Sequence, residues 1–286
     1  MALAAGLRRG GAEAVELPIA DGGDGTADVL GARPLSFVRV VDAFGRPHEA
    51  PVRALPDGTA VVEAAEVIPL DPERLDPLAA SSRGLGELIA AVEADRLLVC
   101  LGGTATVDGG AGLREALDVL PAPTMVLCDT LVPLRDAARL FAAQKGATLE
   151  QVDLLERRLL AIDELAPSGD LPGAGAAGGL GAALAALGAE LVPGGREVLR
   201  RLSFRDHVRR AEIVVTGEGL VDATTTTGKA PGEALRICAE EEVACVVFGG
   251  RVEVDLEGAE MIALSGDPAR AADDLAELGE RLSRQA

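Results

Sequence analysis

The order of apolar and polar positions divides the chain into a β-rich first part and an alternation of helix and strand after it. Residues 2–9 predict a short helix, and Ala14-Val-Glu-Leu-Pro-Ile19 reads as a strand-like run. Phe37-Val-Arg-Val-Val41, Pro51-Val-Arg-Ala54 and Thr59-Ala-Val-Val-Glu63 then cluster β-formers between the turn signals Phe44-Gly-Arg-Pro47 and Pro56-Asp-Gly58. They predict an antiparallel meander. From Ser81 the period lengthens. Residues 84–94 carry apolar side chains at helical spacing, and Arg96-Leu-Leu-Val-Cys-Leu101 reads as a buried strand running into Gly102-Gly103. Further buried-type strands fall at 124–128, 211–216 and 244–248, and helical stretches at 136–143, 149–162, 231–241 and 268–283. Short buried strands separated by helices imply a mainly parallel sheet with helical crossovers, and so an α/β fold.

In such sheets ligands collect at the carboxyl ends of strands. Four predicted strand ends lead into loops of Gly, Asp, Thr and Lys: Ala20-Asp-Gly-Gly-Asp-Gly-Thr26, the run Gly102–Gly112, Asp129-Thr130, and Thr216-Gly-Glu-Gly-Leu-Val-Asp222 continuing to Gly228-Lys-Ala-Pro231. Four loops of one composition predict a shared anion-binding cleft. Gly102, Gly103, Thr104, Gly109, Gly110, Gly217, Glu218, Gly219 and Gly228 are the expected nucleotide-binding positions, because glycine lets backbone N–H groups approach a phosphate. Asp21, Gly22, Gly23 and Lys145 are expected to bind substrate, and Asp129 and Glu218 to hold Mg²⁺. Asp108, Asp222 and Lys229 are assigned to catalysis. Each of these carboxylates has a plainer reading as an Asx-turn or helix cap; for Asp24 the two readings weigh equally.

Lys145 and Lys229 stand out because the other basic side chains, among 27 Lys and Arg, are all Arg. Both lysines adjoin a glycine, which suits a placed cation. The formal charge of −19 leaves too little positive surface for nucleic acid. A single nucleotide needs only a local set of donors. No apolar run is long enough to cross a membrane, and no signal peptide opens the chain, so a cytoplasmic protein is expected. The assembly is left open, a homodimer included. Cys100, Cys128, Cys238 and Cys245 form no CxxC pair and are expected as buried free thiols. Gly173-Ala-Gly-Ala-Ala-Gly178 matches GxGxxG, but no strand precedes it, so a dinucleotide fingerprint fails on context. Asp222 to Ala230 lacks the leading Gly and trailing Ser or Thr of a Walker loop, and no GxSxG elbow occurs.

Several loops in order resemble the glycerate kinase family of the bacterial type. They are Pro18-Ile-Ala-Asp-Gly-Gly-Asp-Gly-Thr26, Ser82-Arg-Gly-Leu-Gly-Glu-Leu-Ile89, the run Leu101–Gly112, Phe141-Ala-Ala-Gln-Lys-Gly-Ala147, the run Gly173–Gly181, Val215-Thr-Gly-Glu-Gly219 and Thr227-Gly-Lys-Ala-Pro231. The resemblance implies phosphorylation of glycerate by ATP with Mg²⁺, in a cleft between two α/β domains. One would be flavodoxin-like and discontinuous (1–35 and 206–286), and the other inserted with a mixed sheet (36–205). Departures accompany it. The strand and Pro-Asp-Ser-Phe-Lys-Gly-Ser loop that open family members, with their lysine, do not precede the first helix, and the stretch between Leu117 and Thr124 is short. Asp129-Thr-Leu-Val-Pro-Leu134 replaces Asp-Asn-Pro-Leu, Val107 replaces Asn, and Leu220 replaces Arg. These imply either a start upstream of Met1 or an altered member. Two alternatives therefore stand beside the kinase: a catalytically impaired relative that binds a nucleotide or carboxylate, and a kinase of another small hydroxy acid.

Overall fold

The computed structural model describes residues 1–284, which divide into two compact units. One comprises Met1–Ile19, Ser203–Thr227 and the described residues from Pro231 onward; the other comprises Ala20–Leu202 with Gly228–Ala230.

The first unit begins with α1 (Ala2–Arg9). The larger unit intervenes in sequence, with α2 (Thr26–Val29), β1 (Arg33–Val41), β2 (Pro47–Ala54), β3 (Ala60–Glu63), α3 (Arg83–Ala90), β4 (Leu97–Cys100) and α4 (Ala111–Ala116). It continues through β5 (Thr124–Cys128), α5 (Ala137–Phe141), α6 (Leu149–Leu160), α7 (Ala176–Ala186), β6 (Glu190–Pro193) and α8 (Gly194–Arg201). The first unit resumes with α9 (Phe204–Val208), β7 (Ile213–Val221), α10 (Ala230–Glu240), β8 (Ala244–Val252), β9 (Ala259–Ala263) and α11 (Ala271–Ser283).

The larger unit is built on one six-stranded mixed sheet in the order β1-β2-β3-β4-β5-β6. The meander β1-β2-β3 is antiparallel, whereas β3, β4, β5 and β6 run parallel. Period-two alternation sends successive side chains to opposite faces. On β4, Leu97 and Val99 join the core with α3, α4 and α7, while Leu98 and Cys100 join the opposite core with α2 and α8. On β5, Val126 and Cys128 face the first core and Leu127 the second. With both faces covered, these strands are apolar throughout, which explains why their sequences form unbroken runs rather than alternating ones.

The smaller unit carries the parallel sheet β7-β8-β9. Val246 and Ile262 pack with Leu278 and Leu282 of α11 and with Leu3 and Leu7 of α1. Gly6 and Gly279 allow those two helices to touch backbone to backbone, since a Cβ on either would overlap the other chain segment. An α/β fold with one discontinuous unit and one inserted unit is thus present.

Three local expectations differ. Residues 14–19 form no strand, because nothing pairs with them; Val15 is 77% exposed. Residues 20–35, expected in the discontinuous domain, belong to the larger unit, where Ala27 and Ala32 are buried against Val61, Leu98 and Val198. Strand β7 does not stop at Thr216. It pairs with β8 as far as Val221–Val252, so Gly217, Glu218 and Gly219 are strand residues rather than loop residues. All four cysteines are buried and free.

Candidate active site

Because β4, β5 and β6 are parallel, the segments that leave their carboxyl ends emerge on one edge of the larger sheet. There Gly102 donates its N–H to the Gly22 carbonyl at 3.0 Å. A Cβ on Gly102 would lie 2.5 Å from Gly23 Cα and 3.1 Å from Asp129 Oδ2. Glycine at 102 is therefore what lets the Asp21–Asp24 loop settle against the Asp129 carboxylate. Thr26 fixes that loop by donating to the Gly23 carbonyl at 2.7 Å and accepting from the Gly22 N–H at 3.2 Å. Glu63, buried at the end of β3, accepts the Ala27 N–H at 2.8 Å and anchors the helix that follows. The Gly195 N–H reaches the Gly228 carbonyl at 3.3 Å, bringing the Gly228–Ala230 segment to the start of α8.

A cavity of about 80 Å³ opens at this edge, lined by Gly103, Thr104, Asp129, Thr130, Gln144 and Lys145 together with Leu70, Leu101, Phe141 and Ala177. Two polar atoms here are buried without a hydrogen-bond partner, Asp129 Oδ1 and Thr104 Oγ1. Lys145, 4% exposed, donates from Nζ to the Thr106 carbonyl at 2.9 Å. An ammonium has three donors, so capacity for further acceptors remains.

Burial dominates the electrostatics. It pushes the Asp129 carboxyl up to about 6; Asp21 adds to the rise, and Lys145 and Lys229 oppose it. Burial likewise brings the Lys145 ammonium down to about 8, against the attraction of Asp129 and Asp108. At neutral pH both groups are largely ionised in a place that penalises charge. Buried polar atoms left unsatisfied cost on the order of 1–3 kcal/mol each, and titratable groups shifted this far cluster at functional sites.

The larger unit thus brings together Asp21, Gly22, Gly23, Gly102, Gly103, Thr104, Asp129 and Lys145, with Gly228 and Lys229 at the start of α8. Other expected residues have local duties. Asp108 accepts from the Ser82 N–H at 2.9 Å, the Ser82 hydroxyl at 2.8 Å, the Gly110 N–H at 3.0 Å and the Gly112 N–H at 3.2 Å. Its carboxylate caps α4 and ties that helix to α3, while it borders a second, mostly apolar hollow of about 280 Å³ with Leu78, Val107, Leu155 and Leu159. Gly109 and Gly110 do not present free amides. The Gly109 N–H donates to the Gly178 carbonyl and the Gly110 N–H to Asp108, and a Cβ on either glycine would overlap Ile162 or Ala183. They serve close packing.

Glu218 and Asp222 belong to the smaller unit. Glu218 accepts from the buried Thr225 hydroxyl at 2.6 Å, and Asp222 accepts from the N–H and hydroxyl of Thr224 at 2.7 and 2.6 Å, an Asx-turn. The expected metal pair Asp129 and Glu218 is divided between the two units. Among the described residues no group of three or more His, Cys, Asp or Glu is arranged to hold a metal ion. Nor is any helix among them long and apolar enough to cross a membrane.

Phe141 and the carbonyl of Thr106 were not singled out by the sequence. Phe141 lies in the quoted Phe141–Ala147 motif, but its apolar side chain carries no chemical signal. A backbone carbonyl leaves no trace in residue identity.

Comparison with known proteins identifies the family. The glycerate kinase family model matches residues 1–122 and 120–277. Its two segments meet inside the short connection between α4 and β5. The chain is 33% identical over 300 residues to the glycerate kinase of Bacillus subtilis (strain 168), spanning 86% of this chain and 78% of that protein. It is 34% identical over 274 residues to the glycerate 2-kinase of Escherichia coli (strain K12), spanning 77% and 71%. A crystal structure described as a candidate glycerate kinase 2 from Salmonella typhimurium LT2 matches with a TM-score of 0.74 at 28% identity, covering 99% of this chain and 92% of that one. With a family model matched along nearly its whole length and relatives above 30% identity over most of it, this chain belongs to the glycerate kinase family.

Proposed function

We propose that the protein transfers the γ-phosphoryl group of ATP to a hydroxyl of glycerate, with the acid seated in the Asp129–Lys145 cavity. The observation that carries this reading is the pair of buried, unpartnered oxygens, Asp129 Oδ1 and Thr104 Oγ1, beside a buried lysine. A small polyhydroxy carboxylate satisfies all three. Its carboxylate meets the Lys145 ammonium, and its hydroxyl groups pair with Thr104 and Asp129. A buried cation is a stronger anchor for a carboxylate than an exposed one, because water screens it less.

Phosphoryl transfer is mostly positioning and charge stabilisation. Mg²⁺ fits the acidic edge of the site, since Asp129 carries an unpartnered oxygen and feels Asp21 as a like charge that a cation would relieve. When bound it neutralises charge on the nucleotide phosphates. Lys229, whose charge reaches Asp129, and the Gly228 backbone supply positive potential at the same edge.

A coupled ADP-release assay with glycerate, ATP and Mg²⁺ tests the proposal. Turnover that saturates with glycerate and falls in Lys145→Met supports it; no ADP release above the ATP-only background rejects it.

A further inference from the structure

We propose that Glu63 is a positioning residue for phosphoryl transfer: from the end of β3 it fixes the Asp21–Asp24 loop beside Asp129 by capping the helix that follows the loop. The inference rests on the glycerate kinase reading above and concerns the support of the same site.

A helix leaves its first N–H groups without partners of its own, and the N-cap side chain ordinarily accepts one of them at the second or third position. Helix α2 has no such cap. Its N-cap is Gly25, at φ 80°, a left-handed conformation that favours glycine and so leaves no side chain to accept. Ala27, the second residue of α2, is fully buried, and its N–H needs an acceptor from elsewhere. The Glu63 carboxylate supplies it at 2.8 Å from 36 residues along the chain.

Glu63 is 3% exposed and follows Ala60, Val61 and Val62, all fully buried. Burial pushes its carboxyl up; Glu66 and Asp24 add to the rise, and the Ala27 N–H and Arg53 oppose it. Burying a charge costs stability, so an apolar strand end would be favoured if the fold alone were served. What the capped turn holds is the loop. The Thr26 hydroxyl binds both Gly22 and Gly23, and the Gly22 carbonyl accepts the Gly102 N–H at 3.0 Å. Asp21, next to Gly22, is the residue whose charge reaches Asp129. The path from Glu63 to Gly102 therefore runs entirely through hydrogen bonds and adjacent residues.

The test compares the wild type with Glu63→Gln, Glu63→Leu and Thr26→Val by glycerate-dependent ADP release, with kcat and KM determined for each and the folded fraction read by circular dichroism. Gln keeps an acceptor oxygen for the Ala27 N–H, whereas Leu does not. Thr26→Val cuts the same path one step nearer the loop, keeps the side-chain shape, and reports even where Glu63→Leu folds poorly. A misplacement of about 1 Å costs about 10²-fold, and a loss of that order in kcat/KM for glycerate is expected in Glu63→Leu and Thr26→Val. Glu63→Gln is expected to retain most of the wild-type value. A merely structural role lowers kcat in proportion to the folded fraction and leaves KM for glycerate unchanged; a positioning role raises that KM in molecules that are folded. Wild-type kcat and KM per folded molecule in Glu63→Leu and Thr26→Val, or a Gln variant no better than the Leu variant, overturns the role of Glu63. A wild type inert toward glycerate overturns instead the reading on which it rests.

Discussion

Lys145 and Asp129 line one cavity, the lysine reaching it from the turn after α5 and the aspartate from the end of β5. Each is driven toward neutrality by burial and pulled back toward charge by the other. A fold selected for stability alone would fill this place with apolar side chains, because replacing a buried ion pair by packed hydrophobic residues often stabilises a protein.

That argument has a direct consequence for stability. Asp129 has a raised pKa in the fold, so its contribution is fully present below its ordinary value of 3.8 and is lost as pH rises through about 6. Lys145 has a lowered one, so its contribution is lost on the acid side of about 8 and recovered toward 10.5. Near pH 7 both groups cost stability. The double variant Asp129→Asn/Lys145→Met is expected to be more stable than the wild type by about 1–4 kcal/mol at pH 7, read from urea unfolding. The gain should shrink toward pH 4.

Activity should show the opposite dependence. If Asp129 works ionised and Lys145 protonated, kcat/KM rises with pH through about 6 and falls through about 8. Raising the Mg²⁺ concentration should move the acid limb to lower pH, because a cation favours the ionised carboxylate. A profile flat from pH 5 to 9 contradicts the assignment.

Lys145→Ala should raise KM for glycerate by about two to three orders of magnitude, the loss expected for one partner of a buried charged hydrogen bond. KM for ATP should change far less. Steady-state kinetics with each substrate varied in turn separates the two.

Gly102→Ala places a methyl group against Gly23 and the Asp129 carboxylate. Overpacking of this kind costs about 1–3 kcal/mol. Turnover should drop along with the melting temperature, since the displaced loop is the one beside Asp129.

Asp108→Ala separates capping from chemistry. It removes the acceptor for two helix N–H groups and for both donors of the fully buried Ser82. The expected loss is about 1–3 kcal/mol of stability, seen as a lower melting temperature. A variant that melts like the wild type but has lost its turnover would return Asp108 to the catalytic set.

Much of this was legible in the sequence, for identifiable reasons. Unbroken apolar runs such as Leu97–Cys100 announce strands covered on both faces. The loops at their carboxyl ends follow from sheet geometry, and Lys145 from the scarcity of lysine. Other features depend on partners that one strand cannot reveal. Gly217-Glu-Gly219 reads as a loop, yet β8 supplies a ladder as far as Val252. Asp108 and Asp129 both lie in loops that leave apolar strands, and only the four donors around Asp108 and the orphaned oxygen of Asp129 tell them apart. Gly109 and Gly110 share the composition of a phosphate loop but meet side chains of α7 and its neighbours.

The most direct test is ADP release with glycerate by the wild type and by Asp129→Asn, an isosteric change that removes the charge. The account predicts saturable turnover in the wild type and a loss of about two orders of magnitude or more in kcat for the variant, with the fold intact by circular dichroism. Wild-type turnover retained in Asp129→Asn would mean that the buried carboxylate is not part of the working site.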